Sequence, residues 1–262
     1  MRDEFKDLEE TSHPDPTRRA QIQMKRPLPK RFYKQVSVGE DEGGYAILLD
    51  GRPVRTPAKN PLTAPTAGLA ELMRAEWDAQ GESVDPQTMP VTKLVNTAID
   101  GVALDPQAVF EDILRFSASD LLCYRADAPE ELVARQCERW DPLIDWAASE
   151  LGARFILIEG VMPQEQPREA TSAFAVTLRK YDSPIELACL HTVTTLTGSA
   201  IIALAFAEGR LSPEEAWSLA HLDEDWTEEH WGVDAEARLR RERRHEEFSA
   251  SVAAFKSLRQ PA

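Results

Sequence analysis

The spacing of apolar residues changes twice along this chain. Residues 1–28 mix proline with charge and show little regular apolar spacing, which predicts an unpacked N-terminal arm. From Arg31 onward, aromatic and branched residues crowd into two short runs, RFYKQVSV (31–38) and GYAILL (44–49). Asp50-Gly51 then separates the second run from RPVRT (52–56). Both turn residues tolerate positive φ, as a type I′ hairpin demands. Pro53 and Pro57 suit an edge strand, because proline cannot donate to a central ladder. A small β-rich unit is expected over residues 29–65.

After Pro65 the period becomes helical. Residues 66–81 place Leu69, Leu72, Met73, Glu76 and Trp77 on one face, with Gly81 as the stop. Two short helices follow, over 90–102 and 106–120. In 129–152, Leu132, Gln136, Cys137, Trp140, Ile144, Ala147 and Leu151 share a side, and Pro142 predicts a kink or a restart capped by Asp141. RFILIEG (154–160) fits a strand or a buried end segment equally well.

Ser183-Pro184 opens a long apolar helix expected to run to Gly209, with Ser199 in its middle bonding back to the preceding turn. Ser212, Pro213 and Glu215 form the capping-box signature of another helix, expected to reach Gly232. Asp234 starts a last, charged helix toward Lys256. The fold class is therefore α+β: an arm over 1–28, a β-rich part over 29–65 and a helical part over 66–262.

Composition narrows the function classes. The chain has 262 residues, 42% hydrophobic, and a net charge of −15. Such a charge opposes binding to nucleic acid or to anionic lipid. Residues 187–207 carry only His191 as an ionisable group and are long enough to span a bilayer. Their five Ser/Thr hydroxyls and amphipathic neighbours favour a buried central helix over membrane insertion. Cys123, Cys137 and Cys189 are odd in number, widely spaced and set among apolar residues, so they read as reduced core thiols. The acidic N-terminus has neither a secretory nor an organellar pattern, and a cytoplasmic location is expected.

The chain offers little catalytic chemistry. It has no phosphate-cradling P-loop, no dinucleotide glycine fingerprint, no nucleophile elbow around a serine and no HExxH. One stretch stands out: AHLDEDWTEEHWGVD (220–234) holds six carboxylates and two histidines. On one helix His221 and Asp225 are i,i+4, a spacing that can ligate a metal, but no second helix offers a matching pair. An acid–base dyad needs two carboxylates in different environments. A solvated charged face and a protein-docking face remain open beside these. The charge layout supports docking, because acids dominate 208–236 while arginines crowd 238–245 and basic residues dominate 18–34. Trp217, Trp226 and Trp231 lie among the acids, where aromatics suit either a core or an interface hot spot.

Four ordered motifs carry a resemblance: LDGRPVRTPAKNPL (49–62), MPVTKLVNTAID (89–100), QCERWDPLIDWA (136–147) and DEDWTEEHWG (223–232). Together they resemble the assembly chaperones of the F-type ATP synthase catalytic head that hold the alpha subunit. The resemblance runs from about Arg31 to the last helix. It implies a small β domain before a larger helical one, with no catalysis, no cofactor and no metal. It also implies binding of unassembled alpha subunit, cover for the surface that later meets beta, and displacement by beta. Carried onto this sequence, the functional acids fall best on Glu224, with Asp225 and Glu228 beside it, and Trp226 and Trp231 join them as expected partner-binding residues. A monomer in a bacterial cytoplasm is expected. The alternative is an enzyme with a carboxylate or metal site on the acidic helix 213–231.

Overall fold

Asp50 and Gly51 take φ values of 48° and 78°, so the hairpin turns where two residues tolerate the left-handed region. The Asp50 carboxylate accepts from the amides of Lys34 (3.1 Å) and Gln35 (2.9 Å), which ties the turn to the segment entering the sheet. In this computed structural model, which describes residues 28–41, 43–160 and 164–259, the central strand is β2 (Gly44–Leu49). It pairs antiparallel with β1 (Val36–Asp41), and its other edge pairs with β3 (Arg52–Pro53) and β4 (Thr63–Ala64). Gly44 is required at its place: at φ 128°, a Cβ would collide with the Ala64 carbonyl oxygen. The expected arm lies outside the described residues except for Leu28.

The inward side chains of the sheet, Val36, Ile47, Leu49 and Ala64, belong to one buried cluster with Leu69 and Met73 of α1 (Ala67–Asp78). That cluster continues through α2 (Pro90–Asp100), α3 (Pro106–Ser117), α4 (Glu130–Glu150) and α5 (Arg168–Leu178). A two-residue parallel ladder, β5 (Tyr124–Arg125) with β6 (Ile158–Glu159), settles RFILIEG as partly strand. The α+β reading holds: a small strand-containing part precedes a larger helical one.

Four local expectations are corrected. The helix expected from Pro184 to Gly209 is two, α6 (Pro184–Thr197) and α7 (Ala200–Ala207). Gly198 at φ 68° ends the first, and Ser199 caps the second by accepting from Ile202 N at 2.9 Å, so Ser199 is a cap and not a mid-helix residue. The carboxylate of buried Asp120 accepts a further start-of-helix amide, Ile201 N, at 2.9 Å. Secondly, α4 does not restart at Pro142 but continues through it as one helix. The carbonyl that proline leaves without a donor belongs to Glu138, and both residues are exposed, so water can serve it. Asp141 does not cap; it pairs with Arg125 at 2.8 Å. Thirdly, Cys137 is exposed, while Cys123 and Cys189 are buried as expected. Fourthly, the acidic stretch breaks at His221 into α8 (Pro213–Ala220) and α9 (Leu222–Trp231).

The last helix, α10 (Ala235–Ser257), is capped by Asp234 as expected. Helix α6 is the axis of the helical part, packed against α2, α3, α7 and α10. Every residue of α7 is buried. Among the described residues no helix is long and apolar enough to cross a membrane.

Candidate functional site

The capping box expected at Ser212 forms in full: Ser212 Oγ accepts from Glu215 N at 3.2 Å and the Glu215 carboxylate accepts from Ser212 N at 2.8 Å. It launches α8, whose Trp217 packs on Phe248 and lies tilted against His221 with ring centres 3.9 Å apart. Burial holds His221 below its ordinary pKa, so the ring is neutral at pH 7. Its Nδ1–H donates to Trp217 O at 2.8 Å. Its Nε2 is buried and lies 3.9 Å from the Glu224 carboxylate. His221 is therefore a packed corner between α8 and α9. Among the described residues no three His, Cys, Asp or Glu side chains gather in a way that could hold a metal.

Helix α9 lies between α4 and α10, and each sends arginine to its carboxylates. On one side, α4 sends Arg135, whose guanidinium grips Glu229 with two bonds of 3.0 and 2.8 Å, and Gln136, which donates to Asp223 at 2.8 Å. Arg135 holds the Glu229 carboxyl below the usual range. On the other side, α10 sends Arg241, 2.6 Å from Asp225 and 3.8 Å from Glu228. Arg244 lies 3.8 Å from Glu224 and donates to Leu196 O at 2.6 Å. The arginine-rich segment 238–245 thus faces the acids across the α9–α10 turn. Within α10, Arg240 pairs with Glu236 at 2.9 Å and Arg238 with Glu242 at 3.8 Å.

The structure brings Glu224, Asp225 and Glu228 onto one helix beside Arg241 and Arg244, as ion-paired and partly exposed carboxylates. Trp226 stacks on His230 at 4.0 Å, half-buried. Trp231 is 80% exposed at the turn, and the apolar Val233 and Leu239 are exposed just after it. Reasoning from the sequence missed Val233 and Leu239. The signal was present in WGVD and RLRR, where an apolar residue interrupts each charged run. Fixed charges around uncovered apolar side chains also make up the rim and core of protein–protein interfaces.

The comparisons with known proteins agree with the four motifs. A sequence model of the ATP12 chaperone protein family matches residues 30–148. The crystal structure of Atp12 from Paracoccus denitrificans superposes with a TM-score of 0.82 at 41% identity, over 88% of this protein and 99% of that one. The chain belongs to the ATP12 chaperone family. An aspartate-to-lysine variant of the Paracoccus protein superposes with a TM-score of 0.81, so the fold of that relative persists with one carboxylate reversed. The Agrobacterium tumefaciens protein Atu1473 is 66% identical over 99% of this protein and 97% of its own length, with a TM-score of 0.86. The mitochondrial atp12 protein of Schizosaccharomyces pombe is 27% identical over 79% of this protein and 76% of its own length. The ATP12 family is one of ATP synthase assembly chaperones, a class that does not work by catalysis.

Proposed function

We propose that this ATP12-family protein holds the unassembled alpha subunit of the ATP synthase head and shields its beta-facing surface until beta displaces it. An unpaired subunit interface is an apolar patch and an aggregation hazard, which is what such a chaperone counters. The client is held at the α9–α10 turn, by Glu224, Asp225 and Glu228 together with Trp226 and Trp231. The observation that carries this reading is Trp231, 80% exposed beside the ion pairs of α9 and α10. A large aromatic uncovered beside charge is the side chain that a partner most often buries as an anchor. The protein acts as a monomer in a bacterial cytoplasm, without cofactor, metal or nucleic acid. Its net charge of −15 suits a client with a basic rim.

Trp231→Ala tests the placement. Truncating an anchor of this type costs about 2 kcal/mol or more of binding, some thirtyfold in affinity. The expected result is that loss in titrations against purified alpha subunit, with the melting temperature within about one degree of wild type, because an exposed side chain contributes little to folding. Unchanged affinity for alpha would remove Trp231 from the interface.

A further inference from the structure

A second site lies away from α9 and the α9–α10 turn, between the loop after β3 and helix α2. It is a cavity of about 590 Å³, with Pro57, Val84 and Met89 among its apolar walls and Trp77 and Asn96 among its polar ones. The volume falls within the range of about 300–1,000 Å³ that ligand pockets occupy. Its walls are fixed from behind. The Asp100 carboxylate accepts from Thr56 Oγ1 (2.6 Å), Ala58 N (2.9 Å) and Asn60 Nδ2 (2.8 Å), which holds the 56–60 loop against α2. The Glu76 carboxylate accepts from Val91 N and Thr92 N, each at 2.7 Å, and binds the start of α2 to α1. Tyr33 Oη donates to Trp77 O at 2.7 Å. Such a cavity is formed before anything enters it.

Three polar atoms on residues that line this cavity are unexplained. Trp77 Nε1, Thr92 Oγ1 and Asn96 Oδ1 are buried and have no hydrogen-bond partner. A buried polar atom without a partner is rare in folded proteins, and three on the residues of one cavity point to what the cavity takes. The indole N–H only donates, the amide oxygen only accepts, and the hydroxyl can do either. An anion would serve the indole N–H but oppose the amide oxygen; a cation would do the reverse. The charged side chains at the rim are already engaged: Arg55 donates to Lys59 O at 2.9 Å, Lys93 lies 3.4 Å from Glu247, and Asp100 is bonded as above. A neutral ligand that carries both an acceptor and a donor serves the indole and the amide oxygen, with the Thr92 hydroxyl able to take either role, and the peptide group is such a ligand. A second cavity of about 380 Å³ adjoins across Lys93 and Thr97, which line both, so a polypeptide leaving the first has a path over α2.

We propose that this cavity binds a stretch of extended, uncharged polypeptide. A backbone carbonyl and a backbone amide of the bound segment pair with Trp77 Nε1 and Asn96 Oδ1, while an apolar side chain packs against Met89, Val84 and Pro57. The site rests on the chaperone reading and deepens it by adding a holding point for unfolded client, and it shares no residue with α9 or the α9–α10 turn.

The test uses the full-length protein and a fluorescein-labelled neutral peptide of alternating serine and leucine, followed by fluorescence anisotropy. Wild type is expected to bind it. The same peptide N-methylated along its backbone is expected to bind about five- to tenfold more weakly, since one backbone hydrogen bond is worth roughly that factor. Asn96→Leu keeps the volume and removes the unpartnered oxygen, so it should weaken binding by a similar factor without lowering the melting temperature. Thr97→Trp, at an exposed helix position shared by both cavities, should block binding by bulk. Equal binding of the methylated and unmethylated peptides, or no binding by wild type, would overturn the proposal. So would an Asn96→Leu protein that melts lower yet binds as wild type. Reversal of the α9 carboxylates should leave peptide binding intact while alpha binding falls, so the two sites fail separately.

Discussion

Asp120→Ala is expected to lower the unfolding free energy by about 2–6 kcal/mol near pH 5, the largest stability effect of any single polar side chain discussed above. The carboxylate is fully buried and accepts from Leu122 N at 3.1 Å and Ile201 N at 2.9 Å. Alanine leaves two buried N–H groups without a partner, and each costs about 1–3 kcal/mol. The pH dependence is diagnostic. Burial pushes the Asp120 carboxyl up to about 6, against its unfolded value of 3.8, even though the helix amides favour the charged form. A group whose folded pKa is raised contributes its full stability below the unfolded pKa and loses it as pH climbs through the folded one. Asp120 therefore weakens the fold progressively from about pH 4 to about pH 6, and the alanine variant is penalised less at pH 8 than at pH 5. Asp120→Asn, which cannot ionise, should lack this slope. Urea unfolding of wild type and Asp120→Asn across pH 4–7 measures it; parallel profiles would show that the carboxyl titrates normally.

The second large effect concerns the client. Lysine at positions 224, 225 and 228 together is expected to weaken alpha-subunit binding at least about a hundredfold, because like charges set face to face at an interface cost several kcal/mol. These carboxylates also pair internally, so the triple variant is not silent in the folded protein. Asp225 and Glu228 lose Arg241, and Glu224 loses Arg244. Partly exposed pairs are each worth about 0–1 kcal/mol, so the melting temperature should fall by only a few degrees. A swapped pair separates the two roles. Asp225→Lys with Arg241→Glu restores the 2.6 Å internal attraction with its signs exchanged. Binding should stay weak in the swapped protein if Asp225 faces the client. Recovered binding would mean that the carboxylate matters only for positioning α9.

What the sequence made legible was local. The Asp50-Gly51 turn, the Ser212–Glu215 capping box and the Asp234 cap each need only residues a few positions apart, and all three form. What it hid depends on distant partners. The break at Gly198 is stabilised by Asp120, whose bond to Ile201 spans 81 positions, and no periodicity contains that bond. The acidic run reads as a free face until α10 folds back and sets Arg241 and Arg244 against it. Pro142 reads as a breaker because spacing cannot tell that its neighbouring carbonyl is exposed to water. The peptide-sized cavity joins residues 55–57 to α1 and α2, and its unpartnered atoms are invisible without the packing.

The central claim is that this ATP12-family protein keeps free alpha subunit in solution. Light scattering of purified alpha subunit, diluted from denaturant with and without an equimolar amount of the protein and without ATP, tests it most directly. Suppressed scattering is expected, with alpha and the chaperone eluting as one complex and scattering returning when α9 carries the three lysines. Alpha subunit that aggregates at the same rate with the wild-type protein present would contradict it.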